Sequence, residues 1–316
     1  MSEKQQTILI GTTLNPAGDR FVAAGIRLAR SMGAKVHLAH AYDLPLVYGG
    51  APFVAEMPVG ELVEAERRAL QEQMDLQITR LGLSATEIAG TTLDLGAAHR
   101  VLIEAAERSD ASLIVMGAVE SSHTLERLFG STADRVVRKA DCPVLLVRNA
   151  LVVPPSRVLL PVDLSDLSAE ALRQGLALLG RLEGGRQTTV EALYVRTEVA
   201  GRPVHDALRV PLEAKTAVAR ELGSFLARVP STEGWRIEPR VELGFVDREI
   251  LDRIERSRPD LVILGTHGRG GFERFVVGSV TSIVLRESQA NLLVIPPAAA
   301  RAGMAAAQRE EVSAAA

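Results

Sequence analysis

The stretch Leu264–Val280, LGTHGRGGFERFVVGSV, places several glycines between the end of an apolar run and the start of a helical pattern. The run before it, Leu261–Leu264, has the length and composition of a buried strand. A strand, a glycine-rich loop and a helix start form an anion site, because the unpaired N–H groups of a helix start carry partial positive charge and glycine lets an anion approach the backbone. The spacing alone also permits another interpretation, in which Gly265 and Gly268 serve only turn geometry.

The composition is that of a globular protein with about two domains, since the chain has 316 residues, 47% hydrophobic and 24% charged. The net charge of −3 and the lack of a basic run argue against nucleic-acid binding. The lone cysteine, Cys142, excludes an intrachain disulfide and favours a reducing compartment. The sequence has no apolar run of about 18 residues and no signal-peptide core near its start. We therefore expect a cytoplasmic protein that binds neither nucleic acid nor membrane.

The chain repeats itself over a whole domain length, which indicates a tandem duplication. The matching segments are Ile8–Tyr42 with Val158–Val195, Leu95–Gly117 with Leu243–Gly265, and Gly130–Arg148 with Gly278–Pro296. The boundary is expected within Asn149–Arg157, where two prolines interrupt regular structure. We therefore predict a first domain, 1–150, a second domain, 151–298, and an alanine-rich flexible tail, 299–316.

Short apolar runs alternate with helical patterns in each domain, and this alternation predicts a parallel sheet with helices on both faces. The strands predicted in the second domain are Val158–Val162, Val190–Val195, Ile237–Leu243, Leu261–Leu264 and Leu292–Ile295. The helices predicted there are about Ala169–Leu182, Leu212–Val229, Asp247–Arg256 and Val280–Glu287, with Ser165, Asp166 and Ser168 as candidate caps of the first.

The glycine stretch resembles the nucleotide-binding loop of the universal stress protein family, whose pattern is Gly, two residues, Gly, nine residues, Gly, then Ser or Thr. Gly265, Gly268, Gly278 and Ser279 fit every position, and the similarity covers nearly the whole chain. The resemblance implies two tandem Rossmann-like domains of the adenine nucleotide alpha hydrolase-like type. Each would be a five-stranded parallel sheet of order 3-2-1-4-5 with helices on both faces.

The resemblance also implies a ligand, which is ATP, or AMP or ADP, with Mg²⁺ accompanying the phosphates. Asp163 would contact the adenine from the end of the first strand of the second domain, and the backbone of Val195 would lie against the ring. The hydroxyl groups of Ser279 and Thr281 can add donors for phosphate. The expected ligand residues are Asp163, Val195, Gly265, Gly268, Gly278, Ser279, Val280 and Thr281. Two alternatives stay open: Asp163 caps the turn that follows it, and Val195 is a core residue.

The first domain departs from this pattern. Its matching loop has Glu120 at the position of Gly268, and Thr13 stands where the second domain has Asp163. A carboxylate repels a triphosphate, and threonine cannot supply the expected adenine contact. Even if Glu120 is a surface residue on a rearranged loop, no phosphate site is expected. We therefore predict a degenerate first site, and whether it binds another ligand is left open.

No catalytic group can be assembled from the sequence. It contains no Gly-x-x-x-x-Gly-Lys-Ser/Thr loop and no Gly-x-Gly-x-x-Gly turn after a strand, and His37 and His40 point to opposite faces of a predicted strand. We therefore expect at most a slow ATPase. The favoured function is an ATP-binding regulatory or stress-response module, and the alternative is a nucleotide-independent scaffold for protein contacts.

The fifth strands of the two domains, Val144–Arg148 and Leu292–Ile295, are expected to pair, because each ends its sheet and an open edge invites pairing. The family resemblance implies the same contact, here as a pseudo-dimer of the two domains within one chain. Association of two chains as a homodimer, the protein partner and the stress signal are left open.

Overall fold

The computed structural model describes residues 5–43, 59–118, 130–197, 212–266, 277–296 and 299. The chain divides into two compact units, which we call the first unit, Met1–Gly117, and the second unit, Ala118–Ala316. Among the described residues, no helix combines the length and the apolar character that a membrane span requires.

The first unit is a parallel sheet with the strand order β3-β2-β1-β4. Its described elements are β1 Thr7–Gly11, α1 Asp19–Met32, β2 Lys35–Tyr42, α2 Val59–Arg80, β3 Ile88–Leu95, α3 Ala98–Arg108 and β4 Ala111–Gly117. Helix α1 forms because Val22, Ile26 and Ala29 line one buried face at helical spacing. It ends at Gly33, whose φ of 62° lies in the left-handed region that glycine adopts easily.

The second unit has the strand order β5-β10-β9-β6-β7-β8. Its described elements are α4 Ser131–Lys139, β5 Val144–Val147, β6 Arg157–Val162, α5 Asp166–Arg181, β7 Thr189–Arg196, α6 Leu212–Ala227, β8 Arg236–Leu243, α7 Val246–Ser257, β9 Leu261–Gly265, α8 Ser279–Glu287 and β10 Leu292–Ile295. Strands β6 to β10 therefore have the 3-2-1-4-5 order that the family resemblance implies for the second domain. Their bounds agree with the predicted ones to within one residue.

The order differs from the expectation in one detail. Strand β5 comes from the first domain, yet it lies in the second unit and pairs antiparallel with β10. Leu292 stands opposite Leu146, and Val294 opposite Val144. The pairing predicted for the two fifth strands is thus confirmed, and it makes the sheet of the second unit mixed rather than wholly parallel. The pseudo-dimer of complete domains stays a prediction.

The segment between β5 and β6 is fixed by two side chains. The buried Asn291 accepts hydrogen bonds on Oδ1 from the backbone N–H groups of Arg148 at 2.9 Å and Asn149 at 3.1 Å. Asp260 accepts on Oδ2 from Ser156 at 2.8 Å and from the next residue, Arg157, at 3.0 Å. The connection therefore belongs structurally to the second unit.

The predicted tail begins at a buried residue. The carbonyl oxygen of Ala299 accepts a hydrogen bond from Gln174 Nε2 at 2.8 Å, so this residue is anchored to α5. Residues 300–316, the rest of the predicted tail, lie outside the described residues.

We expect the first unit to lose stability on acidification through Glu87. Arg30 donates to its carboxylate at 2.6 Å, and the Ser84 backbone N–H and hydroxyl donate as well, which together lower the pKa of Glu87 from 4.5 to about 2. A carboxyl whose pKa is lower in the folded state stabilises the protein above its unfolded pKa, and this stabilisation is lost as the pH falls from about 4.5 to about 2.

In urea unfolding at pH 6, Glu87→Gln should lower the free energy of unfolding by about 0.5–1 kcal/mol, since the pair is partly exposed. At pH 2 the difference should have fallen to a small fraction of its value at pH 6, because most of the stabilisation is lost before the pH reaches the folded pKa. A difference that persists undiminished at pH 2 would show that Glu87 acts through packing rather than charge.

Candidate functional site

Three of the predicted site residues lie at one edge of the sheet of the second unit. Asp163 directly follows β6, and the register that places Val162 opposite Tyr194 brings Val195 to the same level on β7. Gly265 is the last residue of β9, which runs parallel to β6 on its other side. Since the carboxyl ends of parallel strands meet at one edge, the structure brings these three residues together where an open α/β sheet binds ligands.

The junction between β9 and α8 is closed by hydrogen bonds on both sides of the glycine loop. The N–H of Gly278 donates to the carbonyl oxygen of Thr266 at 2.8 Å. The hydroxyl of Thr281 donates to the carbonyl oxygen of Gly265, also at 2.8 Å. The start of α8 is therefore held directly against the end of β9.

The first turn of α8 offers backbone donors. The helix ladder begins with Ser282 N–H to Gly278 O at 2.9 Å, so the N–H groups of Ser279, Val280 and Thr281 precede the ladder. The first turn contains no acidic residue, and the cap residue makes no side-chain cap bond. Together with the helix dipole, these donors give the end of α8 a partial positive charge.

Gly278 is not required by its backbone conformation. Its φ of −54° and ψ of 151° are accessible to any residue. A Cβ atom placed on Gly278 would meet the Thr266 carbonyl oxygen at 3.4 Å, an ordinary contact. With respect to the residues that the structure describes, glycine leaves open the space in front of the helix start that a side chain would otherwise occupy.

The side chain of Thr281 differs from its predicted role. Because its hydroxyl proton is donated to Gly265 and the residue is buried, this hydroxyl holds the helix to the strand. A contribution of Thr281 to an anion would come from its backbone N–H. Ser279 is exposed, so its hydroxyl faces solvent at the helix start.

Asp163 caps the turn that follows β6, which is one of the two roles that the sequence leaves open for it. Its Oδ1 accepts hydrogen bonds from the backbone N–H of Ser165 at 3.1 Å and from the Ser165 hydroxyl at 2.6 Å. Ser165 in turn caps α5 by accepting from Ser168 N–H, which is why the helix begins at Asp166 rather than at the predicted Ala169. The contact with adenine stays a prediction.

Of the residues that remain, the structure describes Val195 but neither Gly268 nor Glu120. Val195 is buried within β7, as its interpretation as a core residue requires, and its backbone role toward adenine stays a prediction. Gly268 and its counterpart Glu120 lie outside the described residues.

The helix of the first domain that corresponds to α8 is α4, and it starts with the same geometry. Its cap, Gly130, has φ −64° and ψ 140°. However, Ala133 occupies the position of Thr281, so α4 has no hydroxyl there to hold a strand end. Asp134 occupies the position of Ser282 and pairs with Arg138 at 2.8 Å, which places a carboxylate in the first turn. Both differences are visible in the aligned segments GSTAD and GSVTS. They add to the predicted degeneracy of the first site, which rests on Thr13 and Glu120 alone.

The end of β1 in the first unit is also unlike the end of β6. Thr12 donates its hydroxyl proton to Oε1 of the fully buried Gln77 at 2.9 Å, and Gln77 Nε2 donates to Asp19 at 2.8 Å. In the second unit the position of Thr12 is occupied by the apolar Val162. A polar chain of side chains thus lies behind the end of β1, where the end of β6 has an apolar residue.

A cavity of about 740 Å³ lies elsewhere in the second unit. It is lined by residues that precede β9 and β10, including Arg258 and Ser288. It is therefore at the amino ends of these strands, opposite to the edge that carries Asp163 and Gly265, and does not belong to the candidate site.

Metal ligation receives no support from the part of the chain that the structure describes, because no group of three His, Cys, Asp or Glu side chains is suitably placed there. His37 lies against Thr92 Oγ1 at 2.8 Å, whereas His40 lies against the Thr12 carbonyl oxygen at 2.9 Å. Burial, and then the charge of Arg108, lowers the pKa of His37.

The geometry and the repeat agree with what the chain resembles among known proteins. The family model described as "Universal stress protein family" matches residues 5–148 and 155–296. The chain therefore belongs to the universal stress protein family, with two domains of the family in tandem.

A universal stress protein of Mycolicibacterium smegmatis is 26% identical over 309 residues, which cover 94% of this chain and 99% of the relative. One from Mycobacterium bovis is 25% identical over 189 residues, and this match spans 59% of the chain but only 62% of the relative's length. The crystal structure of a universal stress protein from Archaeoglobus fulgidus superposes with a TM-score of 0.61 at 19% identity, covering 92% of this chain and 98% of that one. That likeness shows the shared fold.

We expect Thr281→Val to destabilise the junction between β9 and α8. Valine keeps the shape of threonine but removes the donor to the Gly265 carbonyl oxygen, which should lower the free energy of unfolding by about 0.5–1.5 kcal/mol. Thr281→Ser retains the hydroxyl and should recover most of the loss. Equal urea midpoints for the parent and Thr281→Val would show that this hydrogen bond adds nothing to stability.

Proposed function

We propose that the second domain binds an adenine nucleotide, ATP foremost, and that the protein acts as a regulatory or stress-response module through this site. The observation that carries the proposal is the start of α8, where Gly278 leaves space in front of the helix although neither its conformation nor its contacts with the described residues require a glycine. This opening lies directly beyond the end of β9.

Phosphate groups fit the start of α8. The N–H groups of Ser279, Val280 and Thr281 precede the helix ladder and carry the positive end of the dipole. Hydrogen bonds to a charged acceptor contribute about 1.5–3 kcal/mol each. Because the first turn lacks an acidic residue, nothing within it opposes an anion.

The adenine would lie at the end of β6. The carboxylate of Asp163 can accept a hydrogen bond from the 6-amino group, while the 6-oxo oxygen of guanine would face it as a second acceptor. Both Ser165 bonds fall on Oδ1, and a carboxylate has roughly four acceptor positions on its two oxygens. The site is therefore expected to prefer ATP over GTP.

The phosphates and water would supply most of the ligands of an accompanying Mg²⁺ ion. Mg²⁺ usually keeps several waters and binds through one or two carboxylates with substrate phosphates. No carboxylate cluster for a metal occurs among the described residues. We therefore assign no protein ligand to the ion.

The proposal is tested by denaturing the freshly purified protein and analysing the released small molecules by chromatography, followed by calorimetric titration with ATP. Release or binding of an adenine nucleotide is expected. If neither is found, the alternative function, a nucleotide-independent protein-interaction scaffold, takes its place.

Replacing Asp163 should reduce the preference of the site for ATP over GTP. We expect Asp163→Ala to weaken ATP binding by roughly 10- to 150-fold, equivalent to about 1.5–3 kcal/mol, because a hydrogen bond to a charged acceptor is lost. GTP binding should change little. Asp163→Asn is the matched variant: it keeps an oxygen for Ser165 and can turn an amide N–H toward a 6-oxo group, so it should narrow the preference for ATP.

Calorimetry on the parent and both variants measures these effects, and circular dichroism checks folding. Equal affinities of the parent for ATP and GTP would remove Asp163 from base recognition.

We also expect a single nucleotide per chain. Glu120 places a carboxylate where the second domain has Gly268, and at an effective dielectric constant of about 20 such a charge near phosphate costs on the order of 2–4 kcal/mol. The missing adenine contact at Thr13 adds to this, so the first domain should bind roughly a thousandfold more weakly, or worse. Native mass spectrometry at micromolar ATP should therefore show one bound nucleotide.

Variants of the glycine caps of α8 and α4 test which of the two domains binds that nucleotide. Gly278→Val fills the space before α8 and should abolish binding, whereas Gly130→Val imposes the same change on the cap of α4 and should leave it intact. Two nucleotides on the parent chain, or one that survives in Gly278→Val, would contradict the assignment.

A further inference from the structure

The turn after β6 is closed by a ring of hydrogen bonds that joins the side chains of three residues to each other and to backbone N–H groups. Asp163 Oδ1 accepts from the N–H and the hydroxyl of Ser165 at 3.1 and 2.6 Å. Ser165 Oγ accepts from Ser168 N–H at 3.2 Å, and Ser168 Oγ accepts from Asp163 N–H at 3.2 Å. The short bond between the Ser165 hydroxyl and a carboxylate oxygen is of the charge-assisted kind, which is stronger than a neutral hydrogen bond.

The ring encloses a leucine in the left-handed region. Leu164 has φ 66°, a conformation that is uncommon for residues other than glycine and persists where surrounding contacts hold it. Leu14 has φ 58° after β1. There, however, the turn is held by Thr12 Oγ1 accepting from Leu14 N–H at 3.0 Å and by Asn15 Oδ1 accepting from Gly18 N–H at 2.9 Å. The backbone shape is thus repeated, and the carboxylate–serine ring is particular to the second domain.

We propose that Ser165 is a positioning residue that sets the base selectivity of the site by fixing the carboxylate of Asp163; this inference rests on the proposed function. A carboxylate held by two donors on one oxygen has its plane and rotamer fixed before the ligand arrives. Ordering a side chain only on binding weakens binding by an amount equivalent to roughly 2- to 10-fold in affinity, and the ring removes that cost.

A purely structural role of Ser165 makes a different prediction. Ser165 is also the cap of α5, and loss of a cap oxygen lowers stability. Loss of the cap alone would weaken ATP and GTP binding equally or not at all. Loss of positioning weakens ATP binding selectively, because only the adenine amino group uses the Asp163 carboxylate. The ratio of the two affinities therefore distinguishes the roles.

The experiment titrates the complete chain with ATP and with GTP in the parent and in Ser165→Ala, Ser165→Gly and Ser165→Thr. Glycine is a tolerated cap residue, so Ser165→Gly keeps the test usable if the alanine variant folds poorly. Threonine retains a hydroxyl that can both donate and accept. Asn15→Ala is the matched control, since it removes the corresponding turn bond in the first unit.

We expect Ser165→Ala and Ser165→Gly to lower the ratio of ATP to GTP affinity by about 3- to 10-fold, while Ser165→Thr and Asn15→Ala keep the ratio of the parent. An unchanged ratio in both hydroxyl-free variants would overturn the inference and leave the proposed function standing. So would a parent that binds ATP and GTP equally well. A parent that binds neither nucleotide would overturn the proposed function itself, and the inference with it.

Discussion

The candidate site depends on the junction between β9 and α8. A parallel sheet delivers its strand ends and the following helix starts to the same edge, but it does not by itself fix how a helix start faces that edge. Here the Gly278 N–H bonded to Thr266 and the Thr281 hydroxyl bonded to Gly265 fix it. These two bonds hold the first-turn donors of α8 beside the turn that carries Asp163, so that a phosphate and a base could be recognised from rigid elements rather than from the loop between them.

The two repeats show which features packing preserves and which it leaves free to change. Both keep a leucine in the left-handed region after the first strand, and both keep a glycine cap before the last helix. The left-handed turn is set by backbone geometry, whereas neither glycine cap has a conformation that requires glycine. Other side chains differ between the repeats, since Ala133 stands where the second domain has Thr281, and Thr12 stands where it has Val162. A duplicated fold can therefore persist while side chains at the ends of its strands and helices change.

Much of the second domain could be predicted from its sequence because its strands are short apolar runs with clear ends, and their pairing order follows from the family resemblance. The apolar pattern predicts that α5 starts at about Ala169, whereas the helix starts three residues earlier, at Asp166. The reason is that the Ser165 cap extends the helix beyond its apolar pattern. The sequence predicts that the Thr281 hydroxyl can donate to phosphate, whereas in the structure this buried hydroxyl donates to the Gly265 carbonyl oxygen. The contact of Gln77 with Thr12 joins residues 65 positions apart and leaves no local signal in the sequence.

The pairing of β5 with β10 bears on what counts as the functional unit. Strand β10 lies between β9 and β5, so the strand that leads into the candidate site is two positions away from β5. A chain cut at the repeat boundary would expose one side of β10 as an open edge, which invites pairing with other chains. It would also deprive Asn291 of the backbone donors of Arg148 and Asn149. These contacts adjoin β10, the strand next to β9. The repeat is therefore the unit of the sequence, whereas the structural unit that carries the candidate site is the second unit, which includes β5.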